Sequence, residues 1–144
     1  MKSFVIVVKD NNISESGFEE LKESYHKYGH EDGIEPHYAI ELEKVEGYAS
    51  GNGLKWNYPW EGQKTDLKTG LLKSAYPTAD KRKRISCFLS HWYLWHKCVK
   101  LDETICILEH DARFVKQLPS DRTFRNSNFD IIGINDPSMA TRKS

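Results

Sequence analysis

Two carboxylates at the end of an apolar segment are the residues of this sequence whose types and spacing could do chemistry. Glu109 and Asp111 follow the apolar and β-branched residues 104–108, and one residue separates them. That run lacks polar alternation, which is typical of a strand buried on both faces. Ligands of open α/β sheets bind beyond the carboxyl ends of such strands, and side chains two apart on extended backbone point the same way. Because hard oxygen ligands suit Mg²⁺ and Mn²⁺, the pair predicts a divalent metal site. Ordinary solvated acids at a strand end are the alternative interpretation.

A run of four basic residues, 81–84, is the second feature with chemical potential. The pattern places it in the first turns of a helix, where cations oppose the helix macrodipole. Helix N-termini bind anions, so a diphosphate that contacts Arg84 would compensate for this charge. The alternative is a solvated basic patch.

The remaining pattern predicts the elements that must position these groups. The expected strands cover residues 4–8, 37–42 and 104–108, and the expected helices cover residues 17–28 and 78–100. Ser16 and Glu19 form a capping box for the first helix, and Thr78 is the predicted N-cap of the second. The face of the second helix that is expected to pack on the sheet carries an apolar stripe of Ile85, Phe88, Leu89, Trp92, Trp95 and Val99.

Residues 43–77 carry little periodicity and are rich in glycine, which predicts a long loop excursion within one domain that spans residues 1–144. The excursion contains three aromatic residues at alternate positions: Trp56, Tyr58 and Trp60. Exposed aromatic rings could stack on a sugar or a nucleobase. They could equally pin the loop onto the core, and this is the favoured interpretation.

Two short segments resemble glycosyltransferase family 25, which contains lipopolysaccharide sugar transferases and procollagen galactosyltransferases. Residues 87–91 read Cys-Phe-Leu-Ser-His and residues 107–111 read Ile-Leu-Glu-His-Asp. The family typically shows Gly-Cys-x-Leu-Ser-His and then Leu-Glu-Asp-Asp. Residues 4–8 and 128–133 are similar to its opening strand and its next core strand. The resemblance implies an α/β fold with a Rossmann-like GT-A type sheet and flanking helices, in a short or truncated version.

The same resemblance implies transfer of a hexose from a nucleotide-sugar, with UDP-sugar the best guess, to a glycan or other hydroxyl acceptor. Mn²⁺ or Mg²⁺ would be held by Asp111 and Glu109, and the expected donor-binding residues are Glu109, Asp111, Ser90, His91 and Arg84. The implied inversion at the anomeric carbon needs a general base. Asp136, just past the segment 129–134, is the candidate, although an ordinary Asp-Pro turn is the favoured explanation of this residue.

The sequence departs from the family pattern in three ways. His110 replaces the middle acid, Ser86 replaces the usual glycine, and the chain ends before the acceptor-binding half that family members carry. Two alternatives to an active transferase therefore stay open. One is a non-catalytic remnant that binds a nucleotide, a sugar or a protein, and the other is a metal-dependent phosphate-transfer or hydrolase domain.

Composition narrows the class of protein. The chain has 21 basic and 21 acidic residues, so no net charge attracts nucleic acid. No apolar stretch approaches the length of a transmembrane helix, and the expected location is cytoplasmic. The three cysteines, Cys87, Cys98 and Cys106, do not suggest a disulfide framework, and Cys87 and Cys106 are expected to be buried thiols.

Overall fold

The computed structural model describes residues 1–30, 33–56, 61–75 and 78–134. In chain order its elements are β1 (Lys2–Val7), α1 (Asn12–Lys27), β2 (Ile34–Tyr38), a 3-10 turn (Leu42–Lys44), α2 (Val45–Gly51), β3 (Gln63–Thr65), β4 (Leu72–Ser74), α3 (Lys81–Leu101), β5 (Ile105–Glu109) and α4 (Asp121–Arg125).

A three-stranded parallel sheet forms the centre of the fold, and its strand order is β2-β1-β5. Both neighbours run parallel to β1, with Val7 opposite Tyr38 and Ile6 opposite Glu109. The carboxyl ends of all three strands therefore meet at one edge, which we call the carboxyl edge. The mixed α/β class and the parallel arrangement are confirmed.

The two faces of β1 are covered by different helices. Val5 and Val7 pack in one cluster with Leu21 of α1, whereas Phe4 and Ile6 pack in another with Leu94 of α3. Successive strand residues point to opposite faces, so a strand covered on both sides must be apolar at every position. This double coverage explains the unbroken apolar runs in β1 and β5.

Helix α1 begins earlier than the sequence predicted. Asn11 is its N-cap, because its side-chain oxygen accepts a hydrogen bond of 2.9 Å from the backbone N–H of Ser14. The Ser14 hydroxyl in turn accepts from the backbone N–H of Val8 at 2.8 Å, which joins the helix start to the end of β1. The predicted capping box of Ser16 and Glu19 lies inside the helix, and its assignment as the start was wrong.

Helix α3 also differs from its prediction. Its N-cap is Asp80 rather than Thr78, and the buried residues of its inner face are Ser86, Leu89, Ser90 and Leu94. Phe88, Trp95 and Val99 of the predicted stripe are exposed. The predicted stripe was therefore correct at Leu89 and wrong at these three residues. Two buried serines, which an apolar pattern does not detect, occupy the face of α3 that meets the chain after β2.

Strand β2 begins three residues and ends four residues earlier than predicted, since it pairs with β1 over Ile34–Tyr38 and ends where β1 ends. The residues 128–133, which resemble a further core strand, form no strand in the described part of the segment. Phe129 and Ile131 are about three-quarters exposed there, at 75% and 74%. Apolar alternation alone does not make a strand, because a strand also needs a paired neighbour.

The excursion 43–77 is more ordered than its composition suggested. Its described residues include part of the 3-10 turn, the whole of α2, and an antiparallel hairpin of β3 and β4. Among the described residues, no helix combines the length and apolar character that crossing a membrane requires.

Candidate functional site at the carboxyl edge

Glu109 is the last residue of β5 and lies at the carboxyl edge of the sheet, as predicted for the end of a buried strand. It sits opposite Ile6 of the neighbouring strand β1. Its side chain is half exposed, at 51%. A carboxylate at this position has a rigid backbone behind it and solvent in front, which suits ligand binding.

Helix α3 brings two further side chains to Glu109. His91 Nε2 lies 3.2 Å from Glu109 Oε1, and the Cys87 thiol donates to the same oxygen over 3.7 Å. Cys87 and His91 are four residues apart, so they occupy one face of the helix. The ligand atoms of all three residues lie within 4.8 Å of one another. We call this group the Cys–His–Glu cluster.

The electrostatics of the cluster favour a charged pair. Hydrogen bonds with Cys87 and then with Glu109 raise the pKa of His91 to about 9, against the opposing effect of burial. The hydrogen bond from His91 lowers the pKa of Glu109, also against burial. At neutral pH the carboxyl edge therefore presents an imidazolium beside a carboxylate.

Asp111 lies outside this cluster. The backbone N–H of Ala112 donates to the Glu109 carbonyl at 3.0 Å, so the chain turns immediately after β5. The sequence prediction that the two acids point the same way assumed extended backbone, and that assumption does not hold beyond Glu109. Asp111 is an exposed carboxylate in the turn. Such a group suits Mg²⁺ or Mn²⁺, which bind through one or two carboxylates together with substrate phosphates. Joint metal binding by Glu109 and Asp111 stays a prediction.

The turn is held in place by α1. A Cβ atom on Gly17 would lie only 2.7 Å from the carbonyl oxygen of His110, so glycine is required for this close approach. The Arg113 guanidinium donates to the carbonyls of His110 and Gly17, at 3.3 Å each, and pairs with Glu20 of α1. The site residues after β5 therefore rest directly on helix α1.

Ser90, a predicted donor-binding residue, is fully buried. Its hydroxyl donates to the Ser86 carbonyl at 2.7 Å and accepts from the backbone N–H of Ile40 at 3.2 Å. The Ser86 hydroxyl donates to the Ile40 carbonyl at 2.6 Å. These contacts fix α3 against the chain that leaves β2, and thereby fix the position of Cys87 and His91.

One of the four cations at the start of α3, Arg82, is compensated within the chain by Asp80. Asp80 accepts hydrogen bonds from the side chain and the backbone N–H of Arg82, and these lower its pKa to about 2. An ionised acid at the N-cap is the charge that the helix dipole favours. Arg84 is half-buried two residues further on. Its contact with a diphosphate stays a prediction.

Two of the predicted features lie wholly or partly outside the described residues. Asp136, the candidate general base, lies outside them. So do residues 57–60 of the aromatic group, while Trp56 packs edge-on against Phe88 with ring centres 6.1 Å apart. This contact agrees with the interpretation that Trp56 pins the loop to α3.

Cys87 is the residue of the Cys–His–Glu cluster that sequence reasoning did not name as a site candidate. It was expected to be a buried thiol, and the structure shows it exposed. The signal that could have found it is its spacing of four residues from His91, which places both on one helical face. Cys106 is buried as expected, and burial raises its pKa to about 11.

Comparison with known proteins gives one family match. No curated protein and no solved structure gives a significant match to the chain. The family model described as glycosyltransferase family 25 (LPS biosynthesis protein) matches residues 62–133, which is half of the chain and includes α3, β5 and the turn that follows. The chain therefore belongs to glycosyltransferase family 25.

Proposed function

We propose that this chain binds a nucleotide-sugar, a UDP-hexose by preference, at the carboxyl edge and takes part in transferring the hexose to a hydroxyl group of a glycan or similar acceptor. Family membership supports the class of reaction. The observation that carries the location is Glu109, which ends a buried parallel strand and is held by His91 from α3. The sheet would be the donor-binding core of a GT-A type fold.

The residues of the chain suggest a division of roles. In the metal-free chain His91 carries a positive charge at neutral pH because its pKa is raised to about 9, and such a charge attracts the diphosphate of a donor. The half-exposed Glu109 carboxylate is free to accept hydrogen bonds from sugar or ribose hydroxyls through its outer oxygen. The Arg113 contacts with α1 keep the turn fixed while these groups bind.

Metal assistance is part of the proposal. Mn²⁺ or Mg²⁺ would be held by Asp111 together with the phosphates of the donor. When bound, such an ion neutralises the charge that develops on the leaving diphosphate. The position of the general base is left to experiment, since Asp136 lies outside the described residues.

The test is calorimetric titration of UDP into the purified chain, with Mn²⁺ and with EDTA. Variants Asp111→Asn and Glu109→Gln are expected to weaken binding by about tenfold or more, the effect of losing a charged hydrogen bond or ligand. Glu103→Gln is the matched control, because this acid precedes the same strand β5 at its opposite end and pairs with Lys2 at the surface.

Absence of UDP binding in a chain that still unfolds cooperatively would overturn the donor-binding proposal. Equal binding by the wild type and both site variants would overturn the location. If the chain binds UDP-hexose but releases no UDP with any hydroxyl acceptor tested, the result supports a non-catalytic binding module instead of a transferase.

A further inference from the structure

We propose that the Cys–His–Glu cluster is a binding site for Zn²⁺, with Cys87, His91 and Glu109 as its protein ligands. This site is distinct from the Mn²⁺ or Mg²⁺ position at Asp111, since the two differ in ligand chemistry. It requires no nucleotide-sugar, so it can be tested without one.

The first support is the placement of the ligands on the fold. Cys87 and His91 lie one helical turn apart on α3, and two ligands at this spacing on one helix face are the arrangement that zinc enzymes use in their helical motifs. The third ligand, Glu109, comes from the end of β5, which faces this helix. Two rigid elements therefore supply all three donors without rearrangement of the backbone.

The second support is distance. Ligand atoms that surround Zn²⁺ tetrahedrally at about 2.0–2.3 Å are about 3.4 Å apart for nitrogen and oxygen and about 3.6 Å apart for sulfur and oxygen. In the cluster, His91 Nε2 and Glu109 Oε1 are 3.2 Å apart. Cys87 Sγ and the same Oε1 are 3.7 Å apart. The ligand atoms of Cys87 and His91 lie within 4.8 Å of each other, so side-chain movements of about one ångström at most would bring all three atoms to tetrahedral separations.

The third support is the chemistry of the donor set. Thiolate and imidazole select Zn²⁺ over Mg²⁺, which prefers oxygen ligands. Cys87 is exposed, and His91 and Glu109 are 29% and 51% exposed at their side chains, so an ion can reach all three from solvent. Three protein ligands leave one tetrahedral position open, as in catalytic rather than structural zinc sites.

The fourth support is the set of contacts that hold the helix with two of the ligands in place. Ser86 and Ser90 neighbour Cys87 and His91 on α3, and both serines hydrogen-bond the backbone of Ile40. This anchoring fixes the height of the helix against the sheet. A site whose ligands are held by such contacts binds metal with little ordering cost.

The experiment is titration of the chelator-treated full chain with Co²⁺, a spectroscopic substitute for Zn²⁺. We expect one Co²⁺ per chain, visible d–d absorption of a tetrahedral ion, and a sulfur-to-cobalt charge-transfer band, all abolished when Zn²⁺ displaces Co²⁺. Cys87→Ser should remove the charge-transfer band. His91→Gln and Glu109→Gln should each weaken binding by more than the roughly 10–100-fold that loss of a supporting partner costs.

Cys98→Ser is the matched control, because this thiol lies on the same helix but donates to the Glu103 carbonyl at the other end of β5. It should leave the spectrum and the affinity unchanged. Thermal unfolding of every variant separates loss of metal from loss of fold. A Cys87→Ser chain that is folded and binds Co²⁺ with unchanged affinity would overturn the proposal. The proposal would also be overturned if Asp111→Asn abolished Co²⁺ binding while His91→Gln left it intact.

Discussion

Replacing Gly17 by alanine should destabilise the protein, although alanine is the better helix former. The added Cβ would lie 2.7 Å from the His110 carbonyl oxygen, a backbone atom that cannot turn aside as a flexible side chain would. Overpacking of this kind costs about 1–3 kcal/mol, and the gain in helix propensity returns about 1 kcal/mol. The expected net loss is therefore about 1 kcal/mol, with an upper bound of about 2 kcal/mol.

Gly47→Ala provides the control of opposite sign. Gly47 lies in α2 and would place its Cβ in open space, with nothing within 4 Å. It should stabilise the protein by up to about 1 kcal/mol through helix propensity alone. Urea denaturation followed by circular dichroism gives the free energy of unfolding of both variants. In thermal unfolding, each kcal/mol of stability should shift the melting temperature by about 4 °C. A Gly17→Ala protein as stable as Gly47→Ala would refute the close packing of α1 on the turn after β5.

Two further perturbations test local features. Asn11→Ala should cost about 1 kcal/mol of unfolding free energy, because the N-cap of α1 loses its side-chain acceptor; urea denaturation against Asn12→Ala, which removes no cap, checks this. In metal-free buffer, the contribution of His91 to stability should be complete below its ordinary pKa of 6.5 and be lost as the pH rises through about 9. The free energy of unfolding should therefore fall across that window in the wild type and stay flatter in His91→Gln.

The sequence predicted the parallel sheet and the placement of Glu109 correctly because both depend on strong, local signals. The apolar runs of β1 and β5 lack alternation, and a strand buried on both faces is their natural explanation. Element boundaries were less accurate. Asn11 rather than Ser16 caps α1, since the choice between them depends on which side chain reaches a free backbone N–H in three dimensions.

The candidate site was predicted only in part, and the reason is tertiary. That Glu109 would meet His91 and Cys87 depends on how α3 packs on the sheet. This packing uses the buried serines Ser86 and Ser90 together with Leu89 and Leu94, and of these four only Leu89 belongs to the predicted stripe. The turn that separates Asp111 from Glu109 depends on the approach of α1. Neither contact leaves a periodic trace in the sequence.

The two serines of α3 act on Ile40 as a neighbouring strand would. One hydroxyl accepts from its amide and the other donates to its carbonyl, so both backbone groups of a residue outside every strand are occupied. The amide proton of Ile40 should consequently exchange with deuterated solvent as slowly as amides in the sheet, and only when α3 lifts away. The exchange rate of this amide thus reports whether α3, the helix that carries His91, is packed against the sheet. It shows without any ligand whether the residues of the carboxyl edge are in contact.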